Sequence, residues 1–488
     1  MMNKERDRFN SRTYFWLVIG IYATAVILRV WRIYCGVYLE ENAQVGLMGM
    51  DLLRGHFYIF HIGRDYHGPI DVLLQAPFYA LFGPTHLVQN LWNPALNLLA
   101  MAILHPVLKR VLSPVGVLAA LAFMAAPPSP AMLWGGYGQL HIIGMVPFLA
   151  WHMLMTARLW EASEWKASTL LWWGFSAGFA FYINFQAVLV ALPTAFFLIA
   201  ACWRRLKPSH FLWAIVGLCA GSALFIYFNL IHGFPHLRQP SQLTTRWFWD
   251  FLSAMLHNGL PVALGFTTPM CGGPVAAGSP WFALYLVVTA GLGLGAGRLV
   301  YQGFWQGKPL ALAPVLITAA NLVILVISPF GKGLSSCSVY HLLCFYYIAL
   351  PFLWGALADA AAGAGKRPLV AGAVAAGMLG IHFYGYATWT HMWDIPILCR
   401  HGRVWQQEVQ HKAVVEKLRA DGVGQIYKQE CFLLAFYGGG RPETVNPWED
   451  WTPWRSVAVD SARDPYWWIN IRPDLDLIGQ GLARGRTK

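Results

Sequence analysis

Five carboxylates, Glu40, Glu41, Asp51, Asp65 and Asp71, fall within 32 residues of a chain that has only 23 acidic residues among 488. Side chains of this type can take a proton from a hydroxyl or hold a cation, so their concentration asks for a reason. The pair stands in Leu39-Glu40-Glu41-Asn42-Ala43, and two more acids stand in Arg64-Asp65-Tyr66-His67-Gly68-Pro69-Ile70-Asp71. An ordinary solvated loop carries carboxylates too. What distinguishes this one is its surroundings: an apolar span ends just before Glu40, and the apolar segment Leu47-Met48-Gly49-Met50-Asp51-Leu52-Leu53 follows.

The elements that must position these residues belong to a membrane protein. Hydrophobic residues make up 57% and charged residues 12%, against the roughly 25% charge of an average soluble domain. The 24 Trp, 20 Tyr and 29 Phe fit aromatic belts at two interfaces, because such rings have an apolar body and a polar tip. A net charge of +12 is compatible with a nucleic-acid partner in general. Here the Lys and Arg fall in short clusters between apolar runs, which orients membrane spans and gives no nucleic-acid partner.

Lys4, Arg6, Arg8 and Arg12 precede a first span from about Tyr14 to Val30 that lacks a cleavage site, so it reads as a retained helix with a cytoplasmic N-terminus. Val72 to Phe82 is too short to span and reads as an interfacial helix. Ten further apolar runs follow: Leu87–Leu108, Val115–Pro128, Leu140–Leu159, Leu170–Ile183, Phe185–Trp203, Phe211–Ile231, Trp281–Val300, Leu310–Pro329, Tyr340–Leu357 and Leu369–Trp389. Alternation over these eleven spans puts Lys109-Arg110, Arg158 with Lys166, Arg204-Arg205 with Lys207, Arg298 with Lys308, and Lys366-Arg367 on the cytoplasmic side. The narrowest step is Leu170 to Trp203, which must cross twice in 34 residues.

The opposite side receives a first external loop (31–86), a second (232–280) and everything after Thr390. In the second loop, Trp247-Phe248-Trp249-Asp250-Phe251-Leu252 can lie in the interface plane, and Arg238 and Arg246 offer forked donors matched to phosphate oxygens. The expected domains are thus 1–390, in the membrane, and 391–488, a small extracytoplasmic α/β domain with a helix at Val409–Leu418 and strands at Val423–Tyr427 and Cys431–Tyr437. Cys35, Cys271, Cys337, Cys399 and Cys431 fall on the outer side, an odd number with no deducible pairing. There is no Cys-X-X-Cys, no HExxH and no P-loop.

A membrane helix, an acidic pair opening an external loop, Arg64-Asp65-Tyr66-His67-Gly68-Pro69 and an interfacial helix ending in Leu81-Phe82-Gly83-Pro84 together resemble the GT-C glycosyltransferases. The chain is most similar to the protein O-mannosyltransferase and aminoarabinose-transferase branch. Pro127 before Gly135-Gly136-Tyr137-Gly138, Ser338-Val339-Tyr340-His341-Leu342-Leu343 and the external tail agree with it. Glu40 stands where the branch usually has Asp, Tyr66 takes the place of an acid, and His341 that of an Arg.

The resemblance implies a mainly helical GT-C fold in a bacterial inner membrane and an active site on the outer face. A sugar would pass from a polyprenyl-phosphate carrier to an external glycan, lipid or protein with inversion. That reaction needs a general base on the acceptor and cationic or donor groups on the departing phosphate. The resemblance gives Glu40 as base, with Glu41 or Asp65 orienting; His67, His341, Arg238 and Arg246 stand for the phosphate, and Arg64, Tyr66 and Tyr340 complete the binding set. It implies no cofactor, although carboxylates can hold a divalent metal. Two other classes compete: a lipid-linked-sugar transporter, which should place ionisable groups at mid-membrane depth, and a non-catalytic scaffold subunit.

Overall fold

The computed structural model describes residues 11–35, 40–61, 67–129, 131–132, 143–234, 260–266, 278–327, 342–365 and 368–388, with isolated positions between 249 and 257 and between 413 and 420. Its two compact units are one built from Met1–Arg32, Pro94–Gly136 and Ile142–Cys399, and one around Ile33–Asn93.

The smaller unit is organised by α2 (Glu40–Leu52) and α3 (Ile70–Phe82), which follow α1 (Ser11–Cys35) in the chain. The acidic pair therefore opens a helix where the sequence suggested a loop; Ala43, Gln44, Leu47, Met48 and Met50 are all good helix formers. Val45 and Met48 of α2 pack on Val72 of α3, with Leu52 and Tyr58 against them. Gly49 lets the Tyr79 ring approach, since a Cβ there would lie 3.0 Å from it. Pro69 precedes the first turn of α3, where its missing N–H is not needed. The short α4 (His86–Asn90) follows, capped by the Thr85 hydroxyl.

The larger unit contains α1, α5 (Trp92–Val111), α6 (Pro114–Ala125), α7 (Val146–Glu161), α8 (Ala167–Ile183), α9 (Val188–Cys202), α10 (Pro208–Gly221), α11 (Ala223–His232), α12 (Pro280–Trp305), α13 (Leu312–Ile327), α14 (Leu350–Gly365) and α15 (Pro368–Thr388). Five helices among the described residues are long and apolar enough to cross a bilayer: Ser11–Ile33, Leu87–Val111, Phe185–Arg205, Pro280–Trp305 and Phe345–Gly363. The expected span Phe211–Ile231 is instead a pair, α10 and α11, bent by 70°. The bend falls at Gly221-Ser222, where Ser222 Oγ donates back to the Leu218 carbonyl at 2.8 Å, a combination that breaks helices. The expected span Val115–Pro128 stops at Ala125, and its 12 residues rise only about 18 Å.

Close packing fixes helix directions. A Cβ on Gly174 or Gly178 would run into the carbonyls of Ala214 and Leu218, and one on Gly217 or Gly221 into those of Leu171 and Phe175. Position 174 thus meets 214 and position 178 meets 218, so α8 and α10 run parallel and side by side. The intervening α9 must carry the chain back, which makes Leu170–Trp203 two helices of opposite direction.

The helix ends sort accordingly. At one end Arg110 Nε donates to Glu161 Oε1 at 2.7 Å, Arg205 donates to the Ala162 carbonyl at 3.4 Å, the Trp165 ring lies tilted against His210, and Asp359 accepts from the Ser113 N–H at the start of α6. At the other end the carbonyls that close α6 are taken by side chains of other helices. Arg29 of α1 donates to Met124 at 2.7 Å and Ala125 at 2.9 Å, His382 of α15 to Ala126 at 2.6 Å, and Tyr386 to Pro127. Tyr347, just before α14, donates to Ala131 at 2.6 Å. A helix can end within the depth of a membrane only where its freed carbonyls are answered by protein in this way.

The expected α/β domain at 391–488 lies outside the described residues except for Ala413, Glu416 and Ala420, which are helical. The strands expected at Val423–Tyr427 and Cys431–Tyr437 also lie outside them.

Candidate functional site

The acid-rich region divides along α2 and α3. Glu40 and Glu41 are the first two residues of α2. Asp51 lies at the other end of the same helix, about 16 Å away along its axis. The five acids are therefore not one cluster.

Asp51 is fully buried and committed. Its Oδ2 accepts the Tyr58 hydroxyl at 2.6 Å, Arg54 Nη1 lies 3.7 Å from Oδ1, and its carbonyl accepts the N–H groups of Arg54 and His56. It locks the turn that ends α2. Asp71, equally buried, opens α3. Its Oδ1 accepts the Val72 N–H at 2.9 Å and lies 3.0 Å from His61 Nε2. Four and eight residues further along the same face, Gln75 and Tyr79 are also buried, and the Tyr79 hydroxyl donates to Gln75 Oε1 at 3.1 Å. Burial, and secondarily the Asp71 charge, hold the Tyr79 phenol well above its ordinary pKa, so it stays a neutral donor.

His67 is 3% exposed just ahead of α3, and its carbonyl accepts the His61 N–H at 3.0 Å. Of the residues picked out by sequence, then, Glu40 and Glu41 share the head of α2 and His67 stands at the entry to α3. Arg64, Asp65, Tyr66, Arg238, Arg246, Tyr340 and His341 lie outside the described residues. Sequence reasoning counted Asp51 and Asp71 among the acids but gave them no partners. Asp71 carried a usable signal, an acid in the first turn after Gly68-Pro69; His61 and Tyr58 carried none, since they lie in irregular chain with no period to read.

Chemically, the two buried acids hold the turn that ends α2 and the first turn of α3. No group of three metal-ligating side chains occurs among the described residues.

The family model for dolichyl-phosphate-mannose-protein mannosyltransferases matches residues 66–228, from the entry of α3 into α11. A comparison with curated proteins returned no match. Among solved structures, ArnT from Cupriavidus metallidurans bound to undecaprenyl phosphate superposes with a TM-score of 0.55 at 13% identity, over 87% of this chain and 84% of that one. The same protein in its apo state gives 0.56 at 12%, over 88% and 86%. The apo oligosaccharyltransferase of Archaeoglobus fulgidus gives 0.49 at 10%, over 90% and 65%. The mannosyltransferase family model thus matches a stretch of the chain that lies inside a fold shared with ArnT over most of both chains.

Proposed function

We propose that the chain transfers a sugar from a polyprenyl-phosphate carrier to an acceptor on the outer face of the membrane, with Glu40 as general base. The observation that carries this is the mannosyltransferase match over 66–228, which begins in the acid-rich region itself. An ArnT structure of the same fold binds undecaprenyl phosphate, which supports a polyprenyl-phosphate lipid as donor.

The step is a single displacement. Glu40 takes the proton of the acceptor hydroxyl, the acceptor oxygen bonds to the anomeric carbon from the face opposite the phosphate, and the bond from that carbon to the phosphate oxygen breaks. Polyprenyl phosphate leaves and the anomeric centre inverts. Two facts favour Glu40 over the other acids. Asp51 and Asp71 are shut away from solvent, each with one oxygen already taken by a neighbour, and Glu40 stands at the position where the resembled branch has its first acid. Glu41 and Asp65 then orient the acceptor, and Arg64, Tyr66, His67, Arg238, Arg246, Tyr340 and His341 are assigned to donor and phosphate. No metal is assigned a step.

The test is transfer of labelled sugar from synthetic polyprenyl-phosphate donors by the reconstituted protein. Glu40→Gln should leave insertion and donor binding intact while transfer falls by about 10²–10⁴-fold, the usual contribution of a positioned base. Glu41→Gln should cost less. If Glu40→Gln transfers at the wild-type rate and Asp65→Asn abolishes transfer with folding intact, the base is Asp65. Lipid and glycan profiles of cells lacking the protein would name both substrates through the sugar that disappears.

A further inference from the structure

The connections that lead into α8 and α10 meet at one end of the membrane unit. Arg205 Nη1 donates to the Ala162 carbonyl at 3.4 Å, and the rings of Trp165 and His210 lie 5.3 Å apart. Lys166 immediately precedes α8, Arg204 and Arg205 end the short helical turn Trp203–Arg205, and Lys207 immediately precedes α10. All four basic side chains are exposed. One exposed acid, Glu164, shares the surface, which is therefore positive on balance.

Basic residues nearby are already engaged. Arg110 Nε donates to Glu161 Oε1 at 2.7 Å, and Lys109 Nζ lies 5.8 Å from the centre of the Tyr14 ring. Lys166, Arg204 and Lys207, by contrast, have no carboxylate within ion-pair distance among the described residues. Their surroundings add to the positive field. α8 and α10 run parallel, so the positive ends of both helix dipoles stand at the same end as these cations. Like charges gathered in one place repel, and an anion set among them removes the repulsion.

The adjoining side chains say which anion. Trp203, next to the two arginines in sequence, is 68% exposed, and from Lys207 the chain runs directly into α10, whose Phe211, Leu212 and Ile215 are 46%, 59% and 54% exposed. Cations followed within two helical turns by exposed apolar side chains match a molecule with an anionic head and hydrocarbon tails. A free phosphate would meet the charge and leave the apolar face unused.

We propose that this surface binds an anionic phospholipid: Lys166, Arg204, Arg205 and Lys207 hold the headgroup phosphate, and the exposed apolar side chains of α10 carry the acyl chains. Lipid held in this way fastens the starts of α8 and α10 to each other through a shared counter-ion.

The experiment titrates the full-length protein in detergent with phosphatidylglycerol, phosphatidylcholine or glycerol phosphate, and counts bound molecules by native mass spectrometry. Wild type should bind its first phosphatidylglycerol about tenfold or more tighter than phosphatidylcholine, since each basic residue at a lipid surface adds to the attraction for anionic heads. Changing Lys166, Arg204, Arg205 and Lys207 together to Gln should abolish that preference, while Lys109→Gln should keep it within about twofold, its cation being already engaged. Should the fourfold variant fail to fold, Arg204→Gln with Lys207→Gln decides, with a loss of about threefold or more expected. Leu212→Gln should weaken both lipids alike, because it touches tails and not heads. Equal wild-type affinity for the two lipids, or an unchanged preference in the multiple variants, would overturn the proposal. Glycerol phosphate that competes as well as the whole lipid would overturn it too, and leave a site for free phosphate in its place.

Discussion

The Tyr58 hydroxyl sits 2.6 Å from a carboxylate that water does not reach. A buried carboxyl group needs partners that stay in place, and the phenol hydroxyl supplies one. Tyr58→Phe should therefore cost about 1.5–3 kcal/mol, because Asp51 remains behind without its donor. Thermal unfolding in detergent should shift down accordingly, while sugar transfer per folded molecule stays at the wild-type level; a matching loss of kcat would mean that Asp51 works in the reaction. The sequence made Asp51 visible as an acid but not as a sealed one. Engagement depends on what the chain brings alongside, and Tyr58 arrives seven residues later through an irregular turn that has no periodicity to betray it. Arg29 was hidden for a related reason. A basic residue near the end of a first span reads as interface anchoring, and nothing local says that carbonyls 95 and 96 residues away will take its guanidinium.

At the scale of helices, the pairing of α8 with α10 depends on four glycines. Gly174 and Gly178 are spaced as Gly217 and Gly221 are, and each pair sits where the other helix's carbonyls come closest. In lipid, where apolar side chains gain little from one another, this approach of backbones supplies much of the attraction. Gly178→Leu should force the helices apart and cost about 3 kcal/mol or more, since backbone and not a flexible side chain stands in the way. Gly293→Ala on α12, with nothing within 4 Å of the added carbon, should change stability by no more than about 0.5 kcal/mol. Unfolding curves of the two variants in the same detergent make the comparison. Both glycine motifs can be read directly from the chain. Their partnership cannot, because it requires two helices to run the same way with a third returning between them. The same limit explains the bend at Gly221-Ser222: the composition of Phe211–Ile231 is that of an uninterrupted span, and only the geometry divides it.

At the scale of the molecule, contacts among helix ends gather the connections carrying Arg110, Lys166 and Arg205 at one end of the membrane unit. That is the grouping that charge alternation expects of a chain with a cytoplasmic N-terminus, and the orientation we propose puts that end in the cytoplasm, where Lys and Arg stay. A reporter fused after Thr390 should then be active only on the outer side, and activity in the cytoplasm would overturn the proposed orientation. Apolar runs and basic loops were legible because a bilayer imposes length and sidedness on every span. The depth at which α6 stops was not, since its end is decided by side chains from α1 and α15.

That end of α6 also sets a schedule for the chain as it is made. Arg29 enters the membrane with α1, but the carbonyls it needs lie 95 and 96 residues later, which at about 5–20 residues per second is roughly 5–20 s of synthesis. The end of α6 then waits a further 256 residues for His382, another 13–50 s or so at the same rate. Until α15 is delivered, the nascent protein holds open carbonyls within the membrane, so a chain cut off at Gly365 should insert and yet be recognised as unfinished. Pulse-chase labelling should show that truncated form degraded several times faster than the full-length protein, and equal lifetimes would mean that α6 closes its own end without α15.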